Sequence, residues 1–374
     1  NPQAQYGADV IMRANYALEH GTEALSMCVR KAVNEMLGSL AEDAGIRRED
    51  IFQVCVVGNT CMHHLFLGIS PASLVHAPYT PAVSERLVLN AGDYGLAVQE
   101  RAELIMLSDI AGYVGADTCG CLLAIRQDQQ EEISLMIDIG TNGEMVLGNR
   151  ERMVTCSTAA GPAFEGAKIE CGMRGAAGAV DHVKYEDGKW NYTTVGNKPA
   201  VGLCGSGLID LVAGLLDAGM LDENGVLRSG QEKQDAFILV PPERAGNERG
   251  VYLTQKDLGE VQLAKAAIAA GIQMLMERLG ITEDDIGSVY IAGAFGNYMD
   301  PVSAGKIGLL PATLVKKVKP VGNAAGEGAK IALVNEKEML EMDELVRKIE
   351  FVELAASADF QDHFIDELGF ETGE

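Results

Sequence analysis

A short apolar run, Ile133, Leu135, Met136, Ile137 and Ile139, carries Asp138 near its end. Gly140-Thr141-Asn142-Gly143 follows, and Met145, Val146 and Leu147 resume the apolar pattern. The spacing predicts a buried strand, a tight turn and a return strand. A carboxylate at a strand tip, the Thr141 hydroxyl and backbone N–H groups left open by glycine would together suit a phosphate and its magnesium ion. Asn-Gly between apolar runs is also the strongest short hairpin signal, so these residues serve a plain hairpin equally well.

Company further along the chain favours phosphate chemistry. Gly58-Asn59-Thr60 follows one predicted strand, Gly205-Ser206-Gly207 opens an apolar helix, and Gly293, Gly296 and Asn297 form a glycine elbow after another strand. A fourth glycine stretch runs from Gly322 to Gly328 and is expected to be a ligand loop feeding a helix over 330–335. Strand, glycine turn and helix in succession is where α/β proteins hold anions and ribose, although Gly-Ser-Gly alone is a weak match. Residues 159–178 crowd Gly and Ala around the single charges Glu165, Glu170 and Arg174. That composition fits a shaped cleft wall or a long irregular loop. His63 and His64 are neighbours on a predicted helix, so they do not face one site, and no further metal-ligand pattern follows. Ligand contact through Asp109 or Asp117 is left open.

These residues need a folded frame, and 374 residues, 47% hydrophobic, are enough for two ordinary domains. A formal charge of -24 argues against nucleic-acid and anionic-membrane partners. The eight cysteines contain no C-x-x-C pair and sit mostly beside apolar residues, as buried reduced thiols in a cytoplasmic protein would. No signal peptide or bilayer-length apolar span is present. Helices are expected over 9–18, 24–40, 61–67, 208–218 and 359–368, and a long one, capped by Thr254 to Asp257, ends at Gly280. Ser108 and Asp109 predict a helix over 110–126. Strands are expected over 51–57, 104–107, 288–292 and 349–354, and a polar hairpin over 182–194 with Asp187-Gly188 at its tip. Residues 336–348 read as a charged, solvated helix.

The Asp-x-Gly-Thr hairpin and the later Ala292-Gly-Ala-Phe-Gly-Asn297 resemble the actin-like, sugar-kinase and heat-shock ATPase (ASKHA) fold, an α/β architecture of two lobes. More narrowly, the chain resembles the reductive activators of corrinoid proteins. The motifs that carry this are Asp138-Ile-Gly-Thr-Asn-Gly-Glu144, Ala159-Ala-Gly-Pro-Ala-Phe-Glu-Gly166, Cys171-Gly-Met-Arg174, Cys204-Gly-Ser-Gly-Leu-Ile-Asp210 and Gly322-Asn-Ala-Ala-Gly-Glu-Gly328, with Val57-Gly-Asn-Thr-Cys-Met-His-His-Leu65 in agreement. The resemblance spans nearly the whole chain.

It implies residues 1–130 as the remainder of the first lobe with a crossover helix, 131–334 as the second lobe with the phosphate and adenosine loops, and 335–374 as a segment returning to the first. It implies an ATPase coupled to one-electron reduction of Co(II) to Co(I) in the corrinoid protein of a methyltransferase system. Asp138 is the implied catalytic residue. Gly140, Thr141, Asn142 and Gly143 would hold phosphate, and Gly205, Ser206, Gly207, Gly293, Gly296 and Asn297 the adenosine side. ATP and Mg2+ are the implied cofactors, the ion without a protein ligand set of its own, and a homodimer is implied as well. The family's [2Fe-2S] cysteines and its first phosphate hairpin have no counterpart here, and the chain opens on Asn1, beside a segment, Gly7-Ala8-Asp9-Val10, that the family places just after that hairpin. The chain is therefore expected to be a piece that binds ATP weakly or not at all alone. No Asp-x-His-x-x-Gly cobalamin motif is present, which makes it a helper of a corrinoid protein and not the carrier. A small-molecule kinase of the same superfold and a non-catalytic docking module are the alternatives.

Overall fold

Asp9 accepts the Met12 N–H through its side chain and starts α1 (Val10–His20), as its place before an apolar period requires. α2 (Glu23–Ala44) ends on Gly45 in the left-handed region. β1 (Gln53–Val56) leads to Asn59, whose side chain accepts the Cys61 N–H and caps α3 (Thr60–Leu67). β2 (Leu87–Asn90) and β3 (Glu103–Met106) complete a three-stranded sheet in which β3 lies between β1, parallel, and β2, antiparallel. The computed structural model describes residues 1–7, 9–355 and 357–370; Ala8, Ala356 and residues 371–374, on which parts of the resemblance and of the last predicted segment fall, lie outside them.

These elements belong to a first unit made of Asn1–Gln130, Arg150–Met153 and Asn323–Phe351. Three differences from expectation arise there, the first two from tertiary contacts of glycine. α4 (Ala116–Ile125) starts at Ala116 and not at Ile110. Gly112 packs where a Cβ would strike the Tyr79 carbonyl, and Gly115 packs against Gly58, Asn59 and Thr60, so residues 110–115 are held as a loop. Asp109 still caps α4, accepting the Ala116 N–H at 2.9 Å. Residues 324–329, expected as a ligand loop, are instead the first turns of the Ala324–Val334 helix, with Asn323 accepting the Gly326 N–H at 3.0 Å. Gly328 is there because a Cβ would run into the Gly120 carbonyl of α4. The Glu336–Val346 helix also departs from a purely solvated face. Met339 and Met342 are buried, Glu338 pairs with Arg126, and Asp343 accepts from Arg86 Nε at 2.8 Å and from Ser108 Oγ at 2.9 Å.

The second unit comprises Glu131–Asn149, Val154–Gly322 and Val352–Glu374. Its sheet has the Val318–Gly322 strand, the Ile286–Ala292 strand, β4 (Ile133–Ile139), β5 (Gly143–Gly148) and β6 (Met153–Thr158) as neighbours in that order. β7 (Ala179–Glu186) and β8 (Lys189–Thr194) form the expected hairpin, with Asp187 and Gly188 at positive φ. α5 (Gly205–Asp217) and α6 (Gln255–Leu279) bury one core with β4 and β5, including Leu135, Ile137, Met145, Leu211, Val261 and Ile268, all fully buried. Thr254 and Asp257 form the capping box that opens α6. The strand expected over 349–354 is confined to Glu350–Phe351. Among the described residues no helix is long and apolar enough to cross a membrane.

Candidate functional site

Strand register aligns the candidate residues of the second unit. Ile286–Ala292 runs parallel to β4 with Ala292 opposite Asp138, and parallel to Val318–Gly322 with Ala292 opposite Gly322. Three neighbouring parallel strands thus end at one level, with Asp138, Gly293 and Gly322 at their carboxyl ends. Open α/β sheets take their ligands at this edge. Gly293 has φ +84°, where a side chain costs roughly 1–2 kcal/mol, and a Cβ there would stand 3.0 Å from Asp138 Oδ1. Glycine at this position keeps the carboxylate uncovered. Asn297, exposed, has its Nδ2 3.2 Å from where a Gly322 Cβ would be.

Ile139 pairs with Gly143 across the turn. The Gly140 N–H donates to Asn142 O at 2.9 Å, and the Gly161 N–H donates to Thr141 O at 2.8 Å. Gly140 therefore closes the turn with its own N–H, while those of Thr141 and Asn142 meet no acceptor among the described residues. Gly143 is small for packing: a Cβ would come within 2.9 Å of Thr158 Oγ1 and 3.2 Å of Ile268.

At the start of α5, Cys204 gives no side-chain cap. Gly205 lies where a Cβ would meet the Phe164 carbonyl and stand 2.8 Å from the Phe295 ring, and Gly207 where one would meet the Val180 carbonyl. Ser206, only 2% exposed, donates through Oγ to Asp181 O at 2.8 Å. Gly-Ser-Gly thus has a structural task, seating α5 on β7 and on the loop that carries Phe164. Gly296 is likewise small because a Cβ would lie 2.6 Å from Ile291 Cγ2. Phe164 and Phe295 stack with ring centres 5.7 Å apart.

The electrostatics centre on two carboxylates. Burial, and then the negative charge of Glu165, raise Asp138 from 3.8 to about 6. Among the described residues no donor or cation meets its carboxylate. Glu165 is exposed, with the Thr141 hydroxyl 3.3 Å from each of its oxygens. Nothing in the spacing of residues 159–178 distinguished Glu165 from Glu170 or Arg174; only the fold brings it over the turn.

His63, His64 and Asp109 of the first unit are committed to structure. His63 Nδ1 bonds Asp109 Oδ2 at 2.7 Å, both side chains buried, and burial raises Asp109 although His63 opposes it. His64 Nδ1 faces Thr60 O at 2.8 Å and its Nε2 accepts the Ala82 N–H at 2.9 Å. Among the described residues no three His, Cys, Asp or Glu side chains cluster as a metal site would require. Among the described residues no cysteine forms a disulfide, five of the eight are buried, and burial pushes the Cys55 thiol to about 11 and the Cys61 thiol to about 12. Concavity marks other places, a groove of about 670 Å³ beside Arg30 and Tyr94 and one of about 530 Å³ beside Cys171 and Tyr252.

Comparison with known proteins covers nearly the whole chain. A family profile described as the C-terminal domain of RACo, the ASKHA domain, matches residues 132–374, and one described as the RACo middle region matches residues 1–130. The chain is 35% identical to the corrinoid activation enzyme RamQ of Eubacterium limosum, across 98% of this chain and 64% of that protein. It is 27% identical to the Co(II) methylated amine-specific corrinoid protein reductase of Methanosarcina barkeri, across 98% and 71%. A solved reductive activator for corrinoid, iron-sulfur protein superposes with a TM-score of 0.89 at 38% identity, covering 99% of this chain and 61% of that one. The chain thus spans under two thirds of RamQ and of that solved chain. The α/β fold is the ASKHA fold, as the hairpin and the glycine elbow predict.

Proposed function

The chain belongs to the family of reductive activators of corrinoid proteins, and from that premise we propose that it supplies the ATP-binding and corrinoid-docking part of an activator that returns Co(II) to Co(I). The electron would come from a [2Fe-2S] domain that is not part of these 374 residues. The observation that carries the nucleotide reading is the alignment of Asp138, Gly293 and Gly322 at the ends of three parallel strands, beside a turn with two open N–H donors.

The donor set fits a magnesium–nucleotide complex. Among the described residues no cation meets the Asp138 carboxylate, and the neighbouring Glu165 charge makes its ionised form unfavourable unless positive charge arrives. Magnesium is commonly held by one or two carboxylates together with substrate phosphates and waters, so Asp138 alone would suffice as the protein ligand. When bound, the ion neutralises triphosphate charge. Asp138 would orient the ion or its waters, Thr141 and Asn142 would offer N–H groups to phosphate oxygens, and Gly293 would keep Asp138 accessible. Co(II) is hard to reduce, so nucleotide binding or hydrolysis must favour an activator–corrinoid complex in which transfer is feasible. Calorimetric titration of Mg-ATP into the complete gene product tests the site. Wild type should bind and Asp138→Ala should lose at least tenfold in affinity; equal affinity would refute it.

A further inference from the structure

We propose that Glu165 is the catalytic base for ATP hydrolysis in this protein, taking a proton from the attacking water, an inference that rests on the nucleotide reading of the Asp138 turn. The loop that carries Glu165 is firmly seated. Phe164 is 4% exposed and stacked on Phe295, and Gly166, at φ +77°, lies where a Cβ would stand 2.6 Å from the Met173 nitrogen. The loop is also tied to the turn by the Gly161 N–H donating to Thr141 O at 2.8 Å. A carboxylate flanked by two such anchors is held in place, and the Thr141 hydroxyl at 3.3 Å orients it further.

Among the described residues this side chain meets no hydrogen-bond partner but Thr141. The nearby cation Lys168 is paired with Glu260 at 3.2 Å, and Glu165 has no ion pair among the described residues. A Cβ built on Gly140 would meet Glu165 Oε1 in ordinary contact at 3.5 Å, so this carboxylate lies directly over the turn. The two carboxylates differ in a way that divides their work. Asp138, at the strand tip and crowded by protein, suits a cation; Glu165, exposed, retains the access to water that a base needs.

In the step, the water oxygen bonds to the terminal phosphorus while the bond from that phosphorus to the bridging oxygen of ADP breaks. The water proton goes to Glu165 and then to phosphate or solvent. ATP and water yield ADP and phosphate, and no other reactant is required.

The experiment measures Mg-ATP affinity by calorimetry and single-turnover hydrolysis in the complete gene product with its corrinoid partner, for wild type, Glu165→Gln and Thr141→Val. Glu165→Gln should keep affinity within about threefold while hydrolysis falls at least ~100-fold, the span of a lost general base. Thr141→Val, which only loosens the carboxylate, should lose less. Unchanged hydrolysis in Glu165→Gln, or affinity falling in step with hydrolysis, would overturn the assignment while leaving the nucleotide site standing. A wild type that binds no nucleotide would overturn the site and the base together.

Discussion

Replacing Asp138 with Asn should make the protein more stable while weakening the proposed Mg-ATP binding. Asp138 is lifted from 3.8 to about 6 by burial and by the adjacent Glu165 charge. Each pKa step is worth about 1.4 kcal/mol, so the ionised carboxylate opposes folding by about 3 kcal/mol. Because the folded value is the raised one, that penalty is fully present above pH 6. It fades as pH falls from about 6 to 3.8, where the native state takes up a proton before the unfolded chain does, and it is absent below. Asn keeps the shape without the charge. Urea unfolding at pH 7.5 should therefore show Asp138→Asn more stable by up to about 3 kcal/mol, with the difference closing near pH 4. A variant less stable than wild type at pH 7.5, or a difference that does not change with pH, would refute the placement of a desolvated carboxylate at this strand end.

Asp109→Ala should destabilise the protein by about 3–5 kcal/mol in denaturant unfolding, since it strands the buried His63 and removes the cap on α4. Gly328→Ala should lower stability by about 1–3 kcal/mol, because the added methyl must push the Ala324–Val334 helix off α4; a neutral result would mean that the contact yields freely. Ser206→Ala should lower stability by about 1 kcal/mol and leave Mg-ATP affinity within about twofold, which distinguishes its bond to Asp181 O from a direct role toward ligand.

Local rules made much of this molecule legible. Short apolar runs on either side of Asn-Gly announce the β4–β5 hairpin, Thr254 with Asp257 announces α6, and Asp187-Gly188 fixes the β7–β8 turn. Each signal is carried by residues close in sequence. What failed to show was set by glycines meeting distant backbone. The late start of α4 depends on Gly112 against Tyr79, and the helical state of residues 324–329 depends on Gly328 against Gly120. The site was legible in part for the same reason. The turn could be read from its own residues, but the proximity of Gly293 to Asp138 depends on strand register between distant segments, and the prominence of Glu165 depends on the Gly161–Thr141 tie. Gly205 and Gly207 show the converse limit, since a glycine pair that suits an anion site also suits a helix pressed onto a strand.

The most direct test of ATP-driven activation through the Asp138 turn follows the cobalt itself. The complete gene product, reduced and mixed with its Co(II) corrinoid partner, is monitored for the absorbance of Co(I) before and after addition of Mg-ATP. Wild type should form Co(I) only once ATP is present, and Asp138→Ala should form none. Equal Co(I) formation by Asp138→Ala, or formation by wild type without ATP, would contradict the account.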